Sequence, residues 1–151
     1  MVHRGNMLSS EQVSSEPKVS FPTDRTDAGS KWALAMVDAD AANGPKLHWL
    51  KTNIESGENV SAGDIAVPYS AGFPEFNDGV HRYVFVLLNQ GGTTLNLDSS
   101  IADTAFSLTD FISQHNLVAN GLAFHRAESD VEPPAKSTGR EGGEQSRYTN
   151  L

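Results

Sequence analysis

Val80-His81-Arg82-Tyr83-Val84-Phe85-Val86-Leu87-Leu88-Asn89-Gln90 is a β-branched and aromatic run long enough to cross a sheet, and its entrance carries an imidazole, a guanidinium and a phenol. Such groups are costly to bury unless they are paired. A strand that opens this way and then turns apolar lines a polar pocket with its first residues and builds core with the rest. The plainer alternative is that His81 and Arg82 only mark where the strand leaves solvent, because polar strand ends are common.

Working outward, Lys31 to Val37 is apolar on both faces and stops abruptly at Asp38-Ala39-Asp40, which predicts a buried central strand. Leu47 to Ile54 predicts a second strand, with Leu47, Trp49 and Lys51 on one face and His48, Leu50 and Thr52 on the other. Asp64 to Val67 reads as a brief edge strand, Lys18 to Phe21 as a short half-buried one, and Val118 to Ala127 as a returning strand bent at Asn120-Gly121. Ser107 is placed to cap a short helix through Phe111 and Ile112 that ends near Asn116, and Ser9 to Val13 fits one helical turn. Pro68 to Gly79 holds Tyr69, Phe73 and Phe76, aromatics that call for an ordered loop. These elements predict a mainly β fold, an antiparallel β-sandwich with one or two short peripheral helices. A single domain is expected over 1–127 and a polar, flexible or docking C-terminal tail over 128–151.

Composition narrows the function. The 151 residues include 11 basic and 19 acidic side chains, a formal charge of -8, which disfavours nucleic acid or an anionic membrane as a partner. No apolar run approaches the ~20 residues of a membrane span, and Met-Val-His-Arg-Gly-Asn is no signal core, so a soluble cytoplasmic protein without an integral membrane segment is expected. Zero cysteines exclude disulfides, thiolate metal sites and a cysteine nucleophile.

If the three central strands are neighbours, Asp38, His48, His81 and Tyr83 converge at one rim of the sheet. One of Asp38 and Asp40 is expected to face the pocket while the other forms an ion pair with Arg82. The histidines lack the close spacing of metal motifs, no serine stands in a glycine-rich elbow, and Gly91-Gly92 lacks the spacing of a phosphate loop. No metal and no organic cofactor are therefore expected.

Three stretches in register, Val37-Asp38-Ala39-Asp40-Ala41, Leu47-His48-Trp49-Leu50 with Asn53-Ile54, and Gly79-Val80-His81-Arg82-Tyr83-Val84-Phe85, resemble the phosphatidylethanolamine-binding protein family, which includes the Raf kinase inhibitor proteins. The resemblance runs from about Asn6 to Ala127. It implies a β-sandwich with a small anion-binding pocket at one end of the sheet, lined by Asp38, His48, His81 and Tyr83 and supported by Asp40 and Arg82. Phe73 and Pro74 then line the pocket mouth. There are departures. The family's Asp-Pro-Asp-Ala-Pro is here Asp38-Ala39-Asp40-Ala41-Ala42, and its Gly-Pro-Pro-type wall aligns with Phe73-Pro74-Glu75, which adds negative charge. The chain is also short at its N-terminal end, and a polar tail stands where the family has an aromatic-rich helix. Either strand edges are exposed or a second subunit, a homodimer, covers them.

The leading expectation is a binding protein for a small anionic or polar ligand. The rival is a cofactor-free acid–base enzyme, an isomerase or cyclase of a small metabolite of the kind natural-product biosynthesis uses, with His48, His81 and Asp38 as catalytic groups. A third is a kinase or protease inhibitor that contacts its protein partner through the tail.

Overall fold

The structure is a computed structural model that describes residues 5–21, 29–56, 60–102 and 105–129. The tail expected over 128–151 lies outside the described residues from 130 onward, as do parts of the loops expected after Pro22 and Gly57.

The apolar run at Lys31–Asp38 forms β1, buried along nearly its whole length. Its neighbours are β2, Lys46–Glu55, and β4, Val80–Gly91, both antiparallel to it, so the three stretches read as strands lie side by side. β3, Asp64–Val67, adds to the outside of β2, and β5, Val118–Glu128, to the outside of β4. The sheet has five strands in the order β3-β2-β1-β4-β5, all pairs antiparallel, and it is open. A mainly β, antiparallel fold is what the periodicities imply. The helix α1, Leu108–Gln114, starts on the Ser107 side chain, which accepts a hydrogen bond from the Asp110 amide. Among the described residues no helix is long and apolar enough to cross a membrane.

Each face of the sheet buries its own cluster. One combines Ala33, Ala35, Val37, Leu50, Val86 and Leu88 with Phe106 and Phe111 from the α1 region. The other combines Trp32, Leu34, Met36, Trp49, Tyr83 and Phe85, and is covered by Val19, Phe21, Tyr69 and Phe73 from loops. The second face carries Asp38 and the buried histidines His48, His81 and His125.

Two local expectations are corrected, and one strand is less buried than its neighbours. Lys18 to Phe21 alternates in burial but finds no ladder partner among the described residues; Phe21 instead packs its ring 5.4 Å from Trp32. β2 does not keep a strict alternation. Its register against β1 slips between Met36/Trp49 and Val37/Leu47, leaving His48 as the extra residue of a bulge. His48 therefore shares the face of Trp49 and not that of Leu50, because a bulge turns two successive side chains the same way. Finally, β5 buries little of its apolar content, with Val118 62% and Leu122 59% exposed. The bend expected at Asn120-Gly121 does occur, as a register slip against β4.

The N-terminal segment adds a feature that sequence pattern did not signal. Met7 bridges Arg126 in parallel, and amides of Gly5, Leu8 and Arg126 bond to carbonyls of Phe124, Arg126 and Asn6. Residues 5–8 thus run along the outer edge of β5 and satisfy part of its backbone.

Candidate functional site

Where β1 ends, β4 begins. Antiparallel pairing sets Asp38 opposite Tyr83, and the period-2 pleat of β4 turns His81, Tyr83 and Phe85 to one face while Arg82 points away. The bulge in β2 brings His48 to that same face. A cavity of 410 Å³ results, lined by Asp38, His48, His81 and Tyr83 on the sheet side and by Phe73, Pro74, Glu75 and Asp78 on the loop side. That size is typical of small-molecule sites.

His81 and Asp38 form a buried pair at the floor, with Nδ1–H donating to Oδ2 over 2.8 Å. The other ring nitrogen faces Asp78, 3.3 Å from its carbonyl and 3.4 Å from its carboxylate. Burial alone pushes the His81 imidazole down, but the hydrogen bond and charge of Asp38, helped by Asp78, outweigh it and hold the ring above its ordinary value. With an oxygen acceptor before each nitrogen, the ring is set up as an imidazolium.

His48 has no such partner. Its Nδ1 stands 3.4 Å from the Ser70 carbonyl, a long contact, and burial pushes its pKa below the ordinary histidine value. Its ring meets Tyr83 edge-on, with centroids 5.3 Å apart. Tyr83 is buried between the imidazoles, stacked 6.4 Å from His81 and 5.2 Å from His125. Burial and the nearby Asp38 carboxylate push its phenol well up, so it stays protonated.

The two aspartates divide because β1 ends at Asp38 and the chain bends at Ala39 and Asp40. Asp38 goes into the cavity. Asp40 takes three bonds from Arg82, from the amide, Nε and Nη2, at 2.7–2.9 Å. The Arg82 hydrogen bonds hold the Asp40 carboxyl below its usual range. The Asp40 amide in turn donates to Asp38 Oδ1 over 2.9 Å, so the exposed pair orients the buried one.

Of the residues that escaped sequence reasoning, three shape the site most. Lys46 lines the cavity, and nothing marked it because it precedes the expected start of β2. Asp78 was legible in principle, three residues before His81 and next to the Gly79 turn. Gly72 was treated only as part of a loop; a Cβ there would collide with Met36 Cε and stand 2.9 Å from the Tyr83 ring, so the loop closes on Tyr83 only because residue 72 has no side chain. Among the described residues no group of three or more metal-ligating side chains is arranged to hold an ion.

Comparison with known proteins bears on this geometry. Residues 1–127 match the family described as phosphatidylethanolamine-binding protein. A 26 kDa secreted antigen of Toxocara canis is 34% identical over 128 residues, a span of 77% of this chain and 47% of the antigen, so the chain spans about half the length of that relative. Among solved structures, a carboxypeptidase Y inhibitor seen with its cognate proteinase superposes with a TM-score of 0.66 at 20% identity, covering 83% of this chain and 76% of the inhibitor. The phosphatidylethanolamine-binding protein of Plasmodium vivax superposes with the same TM-score at 19% identity, covering 84% of this chain and 78% of that one. A match over 127 consecutive residues that includes all five strands, together with the same fold in solved members, shows that this chain belongs to the phosphatidylethanolamine-binding protein family.

Proposed function

We propose that the protein binds a small polar ligand, anionic or zwitterionic, in the cavity formed by Asp38, His48, Phe73, Pro74, His81 and Tyr83. The observation that carries this reading is the buried Asp38–His81 pair at the floor of an open 410 Å³ hollow. A charged pair held out of water is costly unless it serves a partner, and here its outer nitrogen is only loosely held by Asp78. A ligand oxygen that displaces Asp78 receives a charge-assisted hydrogen bond from the imidazolium.

The lining chooses among ligands. Asp38, Glu75 and Asp78 supply three carboxylates, against the Lys46 ammonium and the His81 imidazolium. A multiply charged anion is repelled by this set; a ligand that carries both an oxygen anion and a donor group matches it. Phe73 and Pro74 add an apolar wall. Calorimetry with inorganic phosphate, acetate and phosphoethanolamine tests the proposal. Phosphoethanolamine is expected to release the most heat, and His81→Ala to abolish it. Silence with all three, or an unchanged isotherm in the variant, contradicts it.

A second reading is catalysis, and one observation favours it. Two imidazoles on one cavity wall are shifted in opposite directions, which poises His48 as a neutral base and His81, paired with Asp38, as an acid. Turnover of a small carbonyl metabolite that falls at least a hundredfold in both His48→Ala and His81→Ala supports it, and turnover unchanged by either removes it. Likeness to a proteinase inhibitor at 20% identity is a likeness of fold, and it carries no partner to this chain. A cytoplasmic location belongs to the proposal as well; with a relative named as a secreted antigen, cell fractionation is the test.

A further inference from the structure

On the same face of the sheet, behind Tyr83, lies a second cavity of 560 Å³ that shares no lining residue with the first. Its floor is the β5 side chain His125, only 1% exposed, and its walls include Asn6, Leu8, Val13, Tyr69 and Phe85. The parallel bridge of Met7 to Arg126 sets Asn6 alongside His125, and the Tyr69 hydroxyl, donating to the Val13 carbonyl over 2.7 Å, ties the N-terminal segment over the hollow.

Among the described residues three buried side-chain atoms lack a hydrogen-bond partner, and two of them, His125 Nδ1 and Asn6 Oδ1, belong to residues of this one cavity. His125 Nε2 faces the Gly72 carbonyl at 3.5 Å, and burial keeps the ring neutral. If Nε2 carries the proton toward that carbonyl, Nδ1 is left with a lone pair. The Asn6 amide oxygen is likewise an acceptor. Two buried acceptors without donors are costly, by an amount comparable to lost hydrogen bonds. Around them Leu8, Val13, Tyr69 and Phe85 form an aromatic and aliphatic wall, and the exposed Gln12, Ser15, Glu16 and Lys18 form a polar rim.

We infer that this cavity is a second ligand site, built for a small molecule with a hydroxyl or N–H donor on an apolar, ring-sized body. The donor is directed to His125 Nδ1 and Asn6 Oδ1, and the body packs on Tyr69 and Phe85. The site is independent of the proposed ligand pocket: Tyr83 stands between them, stacked on a histidine of each.

The test uses the full chain with ¹⁵N-labelled histidine, phenol as the probe and anisole, its methyl ether without the donor, as the control. Phenol is expected to move the His125 Nδ1 resonance and to leave the ring nitrogens of His48 and His81 in place. Anisole is expected to bind at least tenfold more weakly, and His125→Phe, which keeps an aromatic ring beside Tyr83, to weaken phenol by about tenfold. Asn6→Leu gives a second variant that leaves the aromatic stack untouched, with a smaller loss in the same direction. Equal binding of phenol and anisole, or no movement of His125 Nδ1 at millimolar phenol, overturns the inference and leaves a cavity whose acceptors are met by water alone.

Discussion

His81 and His48 line the same cavity and are buried to nearly the same extent, at 4% and 6% exposure, yet their surroundings push them in opposite directions. His81 comes from the regular pleat of β4 and lands between two aspartates. His48 comes from a bulge in β2 and lands against a phenol ring and a backbone carbonyl. Burial is common to both, so it does not decide their charge. Carboxylates within hydrogen-bond reach decide it, and the fold supplies them to one corner only.

The largest effect is expected from removing that difference. Asp38→Ala leaves the His81 ring buried without its main partner and frees the Asp40 amide, at a cost of about 3–5 kcal/mol in urea unfolding at pH 6. The cost depends on pH in a defined sense. The folded pKa of His81 is raised above the unfolded value of 6.5, so its contribution is complete below pH 6.5 and is lost as pH rises through the folded value. Asp38→Ala is therefore less harmful at pH 9 than at pH 6; equal costs at both pH values would contradict the pairing.

The His48 corner is sharpened by Gly72→Ala. The added methyl meets Met36 and the Tyr83 ring, so the loop that carries Ser70 must back away from the cavity. A loss of about 1–3 kcal/mol is expected in thermal or urea unfolding, with a changed near-ultraviolet spectrum from Tyr83. Asp40→Ala is the mildest of the three. It breaks bonds at the surface, where the Arg82 side chain is well solvated, and its stability cost is expected to fall below that of Gly72→Ala. Its informative readout is His81, whose titration should shift slightly downward as Asp38 loses its orientation.

The contrast between the two histidines also marks where sequence reading reached and where it stopped. β1, β2, β4 and the Ser107 cap were legible because each rests on a local rule: an apolar run, a two-residue period, an N-cap. The division of labour between Asp38 and Asp40 does not follow from the pleat, which turns residues two apart to one face; it needs the bend that ends β1 at Asp38. The placement of His48 was expected for the wrong geometric reason, because strict alternation puts it with Leu50, away from Tyr83. A bulge is a property of two strands in register, and one strand's sequence does not reveal it. His125 was missed on similar grounds. It sits in a strand whose larger apolar neighbours, Val118 and Leu122, are exposed, and only the pairing of Tyr83 with His125 shows that this ring is buried. The Lys18 to Phe21 alternation shows the converse error, a correct burial pattern without a neighbouring strand to complete it.

Histidine ring titration by NMR addresses the site most directly. His81 is expected to titrate above 6.5 and His48 below it in the unliganded protein, and Asp38→Asn should bring His81 down while leaving His48 on its own side. If both rings titrate together near 6.5, or if His81 is indifferent to Asp38→Asn, the buried pair at the floor of the cavity does not exist in solution and the proposed ligand site has no foundation.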